Sequence, residues 1–296
     1  MPRIFTPLGC EGNSMTETVE IFEVGPRDGL QNQSGFIATA DKIALIRLLD
    51  AAGFARIEAA SFVSPKWVPQ MADGAAVIAG LDGVRADLWA LTPNARGLAG
   101  AVAAGVAGVA VFGSASEGFS RANINASIDE SLERFAPVVR TAKAQGVGVR
   151  GYVSCVTDCP YDGKTPPENV ARVSAALLAM GCDEISLGET LGRATADQVD
   201  AMLVAVLNEV PATRLAGHFH DTTGVALGNI DVSLAHGLRV FDASIGGLGG
   251  CPYAPGAAGN VATEAVHAHV LARGFATGLQ DQALAKAAVF AKGLQI

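Results

Sequence analysis

Two histidines separated by one residue, His218 and His220, are the first feature of the sequence that could carry chemistry. They follow an apolar run that is typical of a β-strand, and side chains two apart on a strand point to the same face. The two imidazoles could therefore bind one cation or form a hydrogen-bonded pair in the core. Asp28 and Asn260 each follow another strand-like run. If the ends of these strands meet, the four side chains offer two oxygens and two nitrogens, and we predict a divalent-metal site.

Such a ligand set would leave two positions of an octahedral ion open for a chelating substrate. Mg²⁺ prefers shells made of oxygen, whereas imidazole suits Mn²⁺, Fe²⁺ or Co²⁺ better. The residue types therefore favour Mn²⁺ and leave Mg²⁺ open.

Arg27 lies directly beside Asp28 and would place a permanent cation next to the ion. Two adjacent positive centres stabilise an anion such as an enolate or a carboxylate. The alternative is a structural pair with Glu58, which lies on the next strand-like run. The two roles are compatible, since a paired arginine is held in position.

The segment from Gly246 to Asn260 contains six glycines in fifteen residues and has Cys251 near its middle. It lacks the Gly-Lys-Ser/Thr of a phosphate-binding loop, which leaves a plain flexible connection or a mobile lid. We interpret it as a lid whose thiol could act as an acid or base once shielded from water. Cys155 and Cys159 are interpreted as structural, because no second cysteine pair accompanies them for a zinc site.

Eight apolar runs, each followed by an amphipathic stretch, must position these side chains. The strand-like runs are Val19–Val24, Ala55–Ala59, Ala86–Leu91, Ala107–Phe112, Gly148–Val153, Glu184–Leu187, Leu215–Phe219 and Val240–Ile245. The helix-like stretches are Thr39–Ala52, Gln70–Leu81, Ala95–Ala104, Ile128–Ala144, Pro167–Met180, Ala196–Val210, Val225–His236 and Val261–Arg273. Glycines expected to be left-handed caps follow seven of them, at positions 53, 83, 105, 146, 181, 237 and 274.

This alternation predicts an α/β protein, a (β/α)8 TIM barrel of about 250 residues. An open doubly wound sheet is the alternative, but the first strand runs into Gly25–Gly29 without a dinucleotide-binding Gly-x-Gly-x-x-Gly. We predict a flexible N-terminal tail over residues 1–17, a catalytic barrel over 18–275 and a C-terminal helical extension over 276–296. The candidate site residues mostly follow strands, which is the face where such barrels build their active sites.

Composition narrows the function classes. Half of the residues are apolar and 17% are charged, which excludes disorder, and a net charge of −8 argues against a nucleic-acid partner. The uncharged run Gly97–Ser116 is rich in Gly and Ala and is interpreted as a helix and a buried strand, not a membrane span. Five scattered cysteines suit reduced thiols, and the first seventeen residues resemble neither a signal nor a transit peptide. We therefore expect a cytoplasmic protein without a membrane partner.

Several segments closely resemble the 3-hydroxy-3-methylglutaryl-CoA lyase family. They are Gly-Pro-Arg-Asp-Gly-Leu-Gln-Asn at 25–32, Ser-Phe-Val-Ser-Pro-Lys-Trp-Val-Pro-Gln-Met-Ala-Asp at 61–73, Arg-Gly-Tyr-Val-Ser-Cys at 150–155, His-Phe-His-Asp-Thr at 218–222 and Gly-Gly-Leu-Gly-Gly-Cys-Pro-Tyr-Ala at 246–254. The likeness runs from about residue 19 to residue 275.

The resemblance implies cleavage of 3-hydroxy-3-methylglutaryl-CoA into acetyl-CoA and acetoacetate with a divalent metal, Mg²⁺ or Mn²⁺. The family's ligands fall on the four residues chosen above, its catalytic arginine on Arg27 and its lid cysteine on Cys251. Its supporting glutamates fall on Glu58 and Glu264. The general base stays open among Cys251, His218 and Asp28. The expected partner is a small CoA thioester, and the expected assembly is a homodimer.

Two positions depart from the family's pattern. Glu189 stands where the family carries a catalytic aspartate after the sixth strand, and Thr223 stands where it carries tyrosine. The longer acid leaves open a related lyase that acts on another 3-hydroxy-3-alkylglutaryl-CoA or on a citramalyl-type thioester. A condensing synthase is a further alternative, but such enzymes are longer. A non-catalytic barrel would have no reason to keep the ligands, Arg27 and the thiol.

Overall fold

The computed structural model of the chain describes residues 16–249 and 259–294. Eight parallel strands form a closed barrel in the order β1-β10-β9-β8-β5-β4-β3-β2. The predicted TIM barrel is therefore confirmed, and the open doubly wound alternative is wrong.

The barrel strands alternate with helices, and one short hairpin (β6–β7) lies outside the barrel. The strands are β1 (Glu20–Glu23), β2 (Arg56–Ser61), β3 (Asp87–Leu91), β4 (Gly108–Ser114), β5 (Gly148–Ser154), β6 (Asp158–Cys159), β7 (Gly163–Lys164), β8 (Glu184–Glu189), β9 (Leu215–Phe219) and β10 (Val240–Ala243). The helices are α1 (Thr39–Ala52), α2 (Gly74–Ala79), α3 (Ala95–Ala104), α4 (Glu117–Ile124), α5 (Ile128–Ala144), α6 (Pro167–Met180), α7 (Ala196–Leu207), α8 (Ala226–Ala235), α9 (Thr263–Ala272) and α10 (Asp281–Lys292).

Local signals explain where the helices begin and end. Capping boxes at Ser127 and Thr195 start α5 and α7, each with a side chain that accepts from the backbone three residues on. All seven glycines expected as caps have a positive φ, between 73° and 114°. The predicted α2 was too long, because Pro69–Met71 forms a separate 3-10 turn before it.

The uncharged run at 97–116 is divided between α3 and β4, as the sequence indicates. Within residues 16–249 and 259–294, no helix is long and apolar enough to cross a membrane.

The core between the barrel and its helices is aliphatic, whereas the barrel interior combines buried charged groups with aromatic side chains such as Phe22 and Trp89. Glu58, Arg150 and Asp242 lie inside the barrel with side chains that are fully buried or nearly so. Helix α10 lies beyond the barrel, where the Gln280 N–H donates to the Ala52 carbonyl at 2.9 Å. The division into tail, barrel and extension stays a prediction, since residues 1–15 lie outside the described part of the chain.

Candidate metal centre and active site

The first strand ends in one π-helical turn, Gly25–Gly29, which carries Arg27 and Asp28. Single π-turns widen the backbone locally and occur often at functional sites. The Asp28 N–H donates to the Val24 carbonyl at 2.7 Å, which fixes the turn against the strand. A Cβ at Gly29 would lie 2.6 Å from the Leu248 Cβ atom, so only glycine permits this close approach.

His218 lies on β9, and His220 follows directly after its end. Asn260 joins them through the backbone, because residues 259–262 bridge the ends of β9 and β10. The bridges pair His220 with Asn260 and Ser244 with Ala262. The backbone therefore brings Asn260 next to the histidines although forty residues separate them in the sequence.

The structure brings together the side chains predicted to bind metal. Asp28, His218 and His220 each offer one ligand atom, and these atoms all lie within 4.8 Å of one another. The Asn260 amide reaches the same group, where its nitrogen donates to Asp28 Oδ2 at 2.7 Å. To offer its oxygen to an ion, this amide would have to turn over.

One buried atom indicates that the group fits a cation. The His220 ring is hydrogen-bonded to the Thr190 backbone. Its Nδ1 atom, however, is buried and has no hydrogen-bond partner among the described residues. An unpaired ring nitrogen is costly to bury unless something binds it. A divalent ion held with Asp28 and His218 would satisfy it.

The electrostatics favour ligands in their deprotonated forms. Burial, followed by the neighbouring His218, lowers the pKa of His220 to about 4. Burial alone would raise the pKa of Asp28, but Arg27 and His218 outweigh it and hold this pKa well below its usual range. Both groups are therefore ready to bind a metal at neutral pH.

Arg27 is buried and paired on both sides. Its Nε atom donates to Glu58 Oε2 and its Nη1 atom to Asp28 Oδ1, both at 2.6 Å. Tyr152 also donates to Glu58 Oε2, at 3.2 Å. Both roles predicted for Arg27 agree with the geometry. The guanidinium is a structural partner of Glu58, and it also contacts Asp28, one of the candidate metal ligands.

Glu189 and Glu264, the other two acids predicted at the site, are held by backbone N–H groups. The Glu189 carboxyl is fully buried, and its pKa is raised because burial outweighs the backbone N–H groups of residues 191–194 that stabilise the charge. It does not belong to the cluster that Asp28 and the two histidines form among the described residues. Glu264 Oε2 accepts from the Gly246 N–H at 2.9 Å, so this glutamate holds the start of the glycine-rich segment.

Cys251 and most of the predicted lid lie outside the described residues. The other thiols that the structure describes, those of Cys155, Cys159 and Cys182, are buried and free. Burial raises the pKa of Cys155 far above its usual value and that of Cys182 to about 12. Cys159 Sγ accepts from the Ser116 hydroxyl at 2.8 Å. These contacts agree with structural roles.

Sequence reasoning missed three buried polar residues next to the site. Asp242 contacts His218, Arg150 contacts Asp242, and Glu23 accepts the backbone N–H of Gly25. One signal was available, because each interrupts an otherwise apolar strand with a charge. No local pattern indicates which group each charge contacts.

The site can bind an anion that chelates a cation. Carboxylate, imidazole and amide ligands surround one point, and a buried guanidinium lies beside it. A bound oxygen ligand would meet two positive centres in a region of low dielectric constant, where such charges act strongly.

Comparisons with known proteins agree with this geometry. The model of the family described as HMGL-like matches residues 18–290. The chain is 54% identical over 275 residues to the mitochondrial hydroxymethylglutaryl-CoA lyase of Bos taurus, covering 92% of this chain and 84% of that protein. It is 56% identical over 256 residues to the 3-hydroxy-3-isohexenylglutaryl-CoA/hydroxy-methylglutaryl-CoA lyase of Pseudomonas aeruginosa, covering 86% and 85%.

Solved structures give the same result. The HMG-CoA lyase from Brucella melitensis matches with a TM-score of 0.93 at 56% identity, over 94% of this chain and 99% of that one. An HMG-CoA lyase from Acinetobacter baumannii, in complex with coenzyme A and 3-methylmalate, matches with a TM-score of 0.88 at 35% identity, over 94% and 91%.

Proposed function

The chain belongs to the HMGL-like family, and from this premise we propose that it is a divalent-metal-dependent carbon–carbon lyase that cleaves 3-hydroxy-3-methylglutaryl-CoA to acetyl-CoA and acetoacetate. The observation that carries the proposal is the cluster of Asp28, His218 and His220 beside the buried Arg27. This cluster combines a cation site with a second positive centre, which is what a retro-Claisen cleavage requires.

Asp28, His218, His220 and Asn260 would hold the metal. The ion would be Mn²⁺ or Mg²⁺, and the two imidazoles favour Mn²⁺. When bound, the ion supplies Lewis-acid chemistry to the substrate's tertiary hydroxyl and a carboxylate oxygen.

Arg27 would stabilise the charge that develops during cleavage. Removal of the hydroxyl proton lets the oxygen's electrons form the ketone of acetoacetate while the C2–C3 bond breaks. The electron pair of that bond passes to the thioester as an enolate, which is then protonated to give acetyl-CoA. Glu58 and Asp28 hold the guanidinium rigidly, so little reorganisation is needed when the enolate forms.

The group that removes the hydroxyl proton is open among His218, Asp28 and Cys251. Asp28 is a poor base, because Arg27 and His218 outweigh the effect of burial and lower the pKa of its carboxyl. Cys251 would also be placed to protonate the enolate if the glycine-rich segment closes as a lid. Glu264 would support that movement through its contact with the Gly246 N–H.

A screen of CoA thioesters tests the proposal. Purified protein is treated with a chelator, reloaded with Mn²⁺ or Mg²⁺ and incubated with 3-hydroxy-3-methylglutaryl-CoA, and the products are identified by mass spectrometry. We expect equal amounts of acetyl-CoA and acetoacetate in the reloaded sample and none in the chelated one. Metal-independent cleavage, or no cleavage of any thioester, would contradict the proposal.

A longer 3-alkyl substituent is the second candidate substrate. The observation that favours it is the relative from Pseudomonas aeruginosa, 56% identical, whose name includes 3-hydroxy-3-isohexenylglutaryl-CoA. The same screen decides between them through the ratio of kcat/KM for the isohexenyl and methyl substrates.

The compartment and the assembly state stay predictions. The free thiols of Cys155, Cys159 and Cys182, the cysteines in the described part of the chain, support the cytoplasmic compartment. Analytical ultracentrifugation tests the predicted homodimer.

A further inference from the structure

Asp242 is a buried carboxylate on β10 that lies directly beside the metal group. The parallel register of β10 and β9 places it opposite His218, and its side chain is fully buried. Its Oδ2 atom lies 3.0 Å from His218 Nδ1 and accepts from the Ser186 hydroxyl at 2.9 Å. Its Oδ1 atom accepts from Arg150 Nη2 at 2.6 Å. The carboxylate therefore joins a candidate ligand to the polar interior of the barrel.

Arg150 fixes the charge and the position of this carboxylate. The guanidinium is fully buried, pairs through Nε with Glu184 Oε1 at 2.7 Å, and lies 4.1 Å from the centre of the Phe22 ring. The buried ion pair with Arg150 and the hydrogen bond from the Ser186 hydroxyl both stabilise the ionised form of the Asp242 carboxylate. Asp242 is therefore an ionised acceptor with little freedom to move.

An ionised acceptor determines which nitrogen of His218 carries the proton. A carboxylate can only accept hydrogen bonds, so the neutral imidazole must donate from Nδ1. The opposite nitrogen, Nε2, then keeps its lone pair, which is the form that binds a metal. The Tyr152 ring packs against His218 edge to face, with ring centres 6.1 Å apart, and so opposes rotation of the imidazole.

We propose that Asp242, held by Arg150, is a positioning residue that fixes His218 in the Nδ1–H form and presents Nε2 to the divalent ion. The inference rests on the proposed metal-dependent function, since it assigns His218 as a ligand. Asp242 touches neither the ion nor the thioester and acts through His218 alone. Carboxylates in this position orient the ring and strengthen the ligand.

The variant Asp242→Asn should invert the tautomer. A guanidinium has only donors, so Arg150 will keep the amide oxygen at the position of Oδ1. The amide nitrogen is then left facing His218 Nδ1 and donates to it. Nδ1 must lose its proton, and Nε2 gains one and can no longer bind the ion without a change of tautomer.

Nitrogen-15 NMR of metal-free protein labelled on histidine measures this directly at pH 8. The chain has five histidines, and His218→Gln assigns the resonances of His218. We expect protonated Nδ1 in the unsubstituted protein and protonated Nε2 in Asp242→Asn. A titration with Mn²⁺ followed by electron paramagnetic resonance should show the Kd of Asp242→Asn raised by about 10- to 100-fold. Ser186→Ala is the matched control, because it removes the other donor to the same oxygen and should keep both the tautomer and the Kd.

Two results would overturn the proposal. The first is an Nε2–H form of His218 in the unsubstituted protein, a result that does not depend on whether Asp242→Asn folds. The second is an Asp242→Asn protein that binds Mn²⁺ normally and keeps the Nδ1–H form. By contrast, failure of the proposed function would show as unsubstituted protein that binds Mn²⁺ with the expected tautomer but cleaves no thioester.

Discussion

Glu23 should make the folded protein less stable as the pH rises, and replacing it with glutamine should remove this effect. Its carboxyl is fully buried at the end of β1 and joins three segments of the site. Oε1 accepts from the N–H groups of Gly25 at 2.8 Å and Ile245 at 2.9 Å, and Oε2 accepts from the Thr263 hydroxyl at 2.6 Å. These segments lead to Asp28, the glycine-rich stretch and helix α9.

Burial raises the pKa of Glu23 from 4.5 to about 7, because the three hydrogen bonds only partly offset the loss of water. The folded state therefore binds a proton more tightly than the unfolded state does. The corresponding stabilisation is complete below pH 4.5 and is lost as the pH rises through 7. Proton linkage with these two pKa values gives a loss of about 2 to 3 kcal/mol between pH 5 and pH 8.

Glutamine has the shape of the neutral carboxyl but does not titrate. Its oxygen can accept the two N–H groups, and its nitrogen can donate to the Thr263 hydroxyl. The free energy of unfolding, measured in urea, should therefore depend on pH differently in Glu23→Gln and in the unsubstituted protein. From pH 5 to pH 8, the free energy of unfolding of the variant should rise by about 2 to 3 kcal/mol relative to that of the unsubstituted protein.

The exposed Glu133→Gln on α5 is the matched control and should follow the unsubstituted protein at both pH values. The free energies of unfolding of Glu23→Gln and the unsubstituted protein are subtracted at each pH. If this difference changes by less than about 0.5 kcal/mol between pH 5 and pH 8, the reasoning is refuted. A variant that becomes relatively less stable at pH 8 would refute it as well.

Three further predictions concern Arg27, Glu189 and Cys182. Arg27→Lys should lower kcat by about 100- to 1000-fold while the protein still binds Mn²⁺, because a lysine cannot bridge Glu58 and Asp28 at once. Steady-state kinetics measure the loss, with Arg85→Lys on the surface as the control. Near-normal turnover would show that Arg27 is purely structural. Glu189→Asp should lower the free energy of unfolding by about 1 kcal/mol, because one buried methylene is lost. We expect kcat to change by less than about 10-fold. A fall in kcat of about 100-fold would show that this carboxyl takes part in the reaction. Iodoacetamide should label the buried Cys182 only after urea is added, because its pKa of about 12 leaves little thiolate at neutral pH, and mass spectrometry of tryptic peptides would reveal earlier labelling.

The sequence determined the eight strand–helix units of the barrel and the four candidate ligands, but not helix α4 or the β6–β7 hairpin. Apolar runs and helical periodicity are local properties of the sequence. The seven glycine caps are local as well, because each requires only a positive φ at one residue. Once eight strand–helix units are recognised, barrel closure places the strand ends together, which is why Asp28 and the His-x-His pair could be assigned to one site.

The tertiary structure alone decided how the buried charges are paired. Asp242 meets His218 across 24 residues and Arg150 across 92, and Glu23 meets Thr263 across 240. No local pattern specifies such contacts, because any inward position on a strand can face several neighbours. The pKa values depend on them as well, since desolvation and Coulomb interactions are set by whatever surrounds a group after folding. Glu189 illustrates the difference: the sequence placed it at the end of a strand, but only the packed structure shows that the backbone N–H groups of residues 191–194 stabilise the charge of its carboxyl.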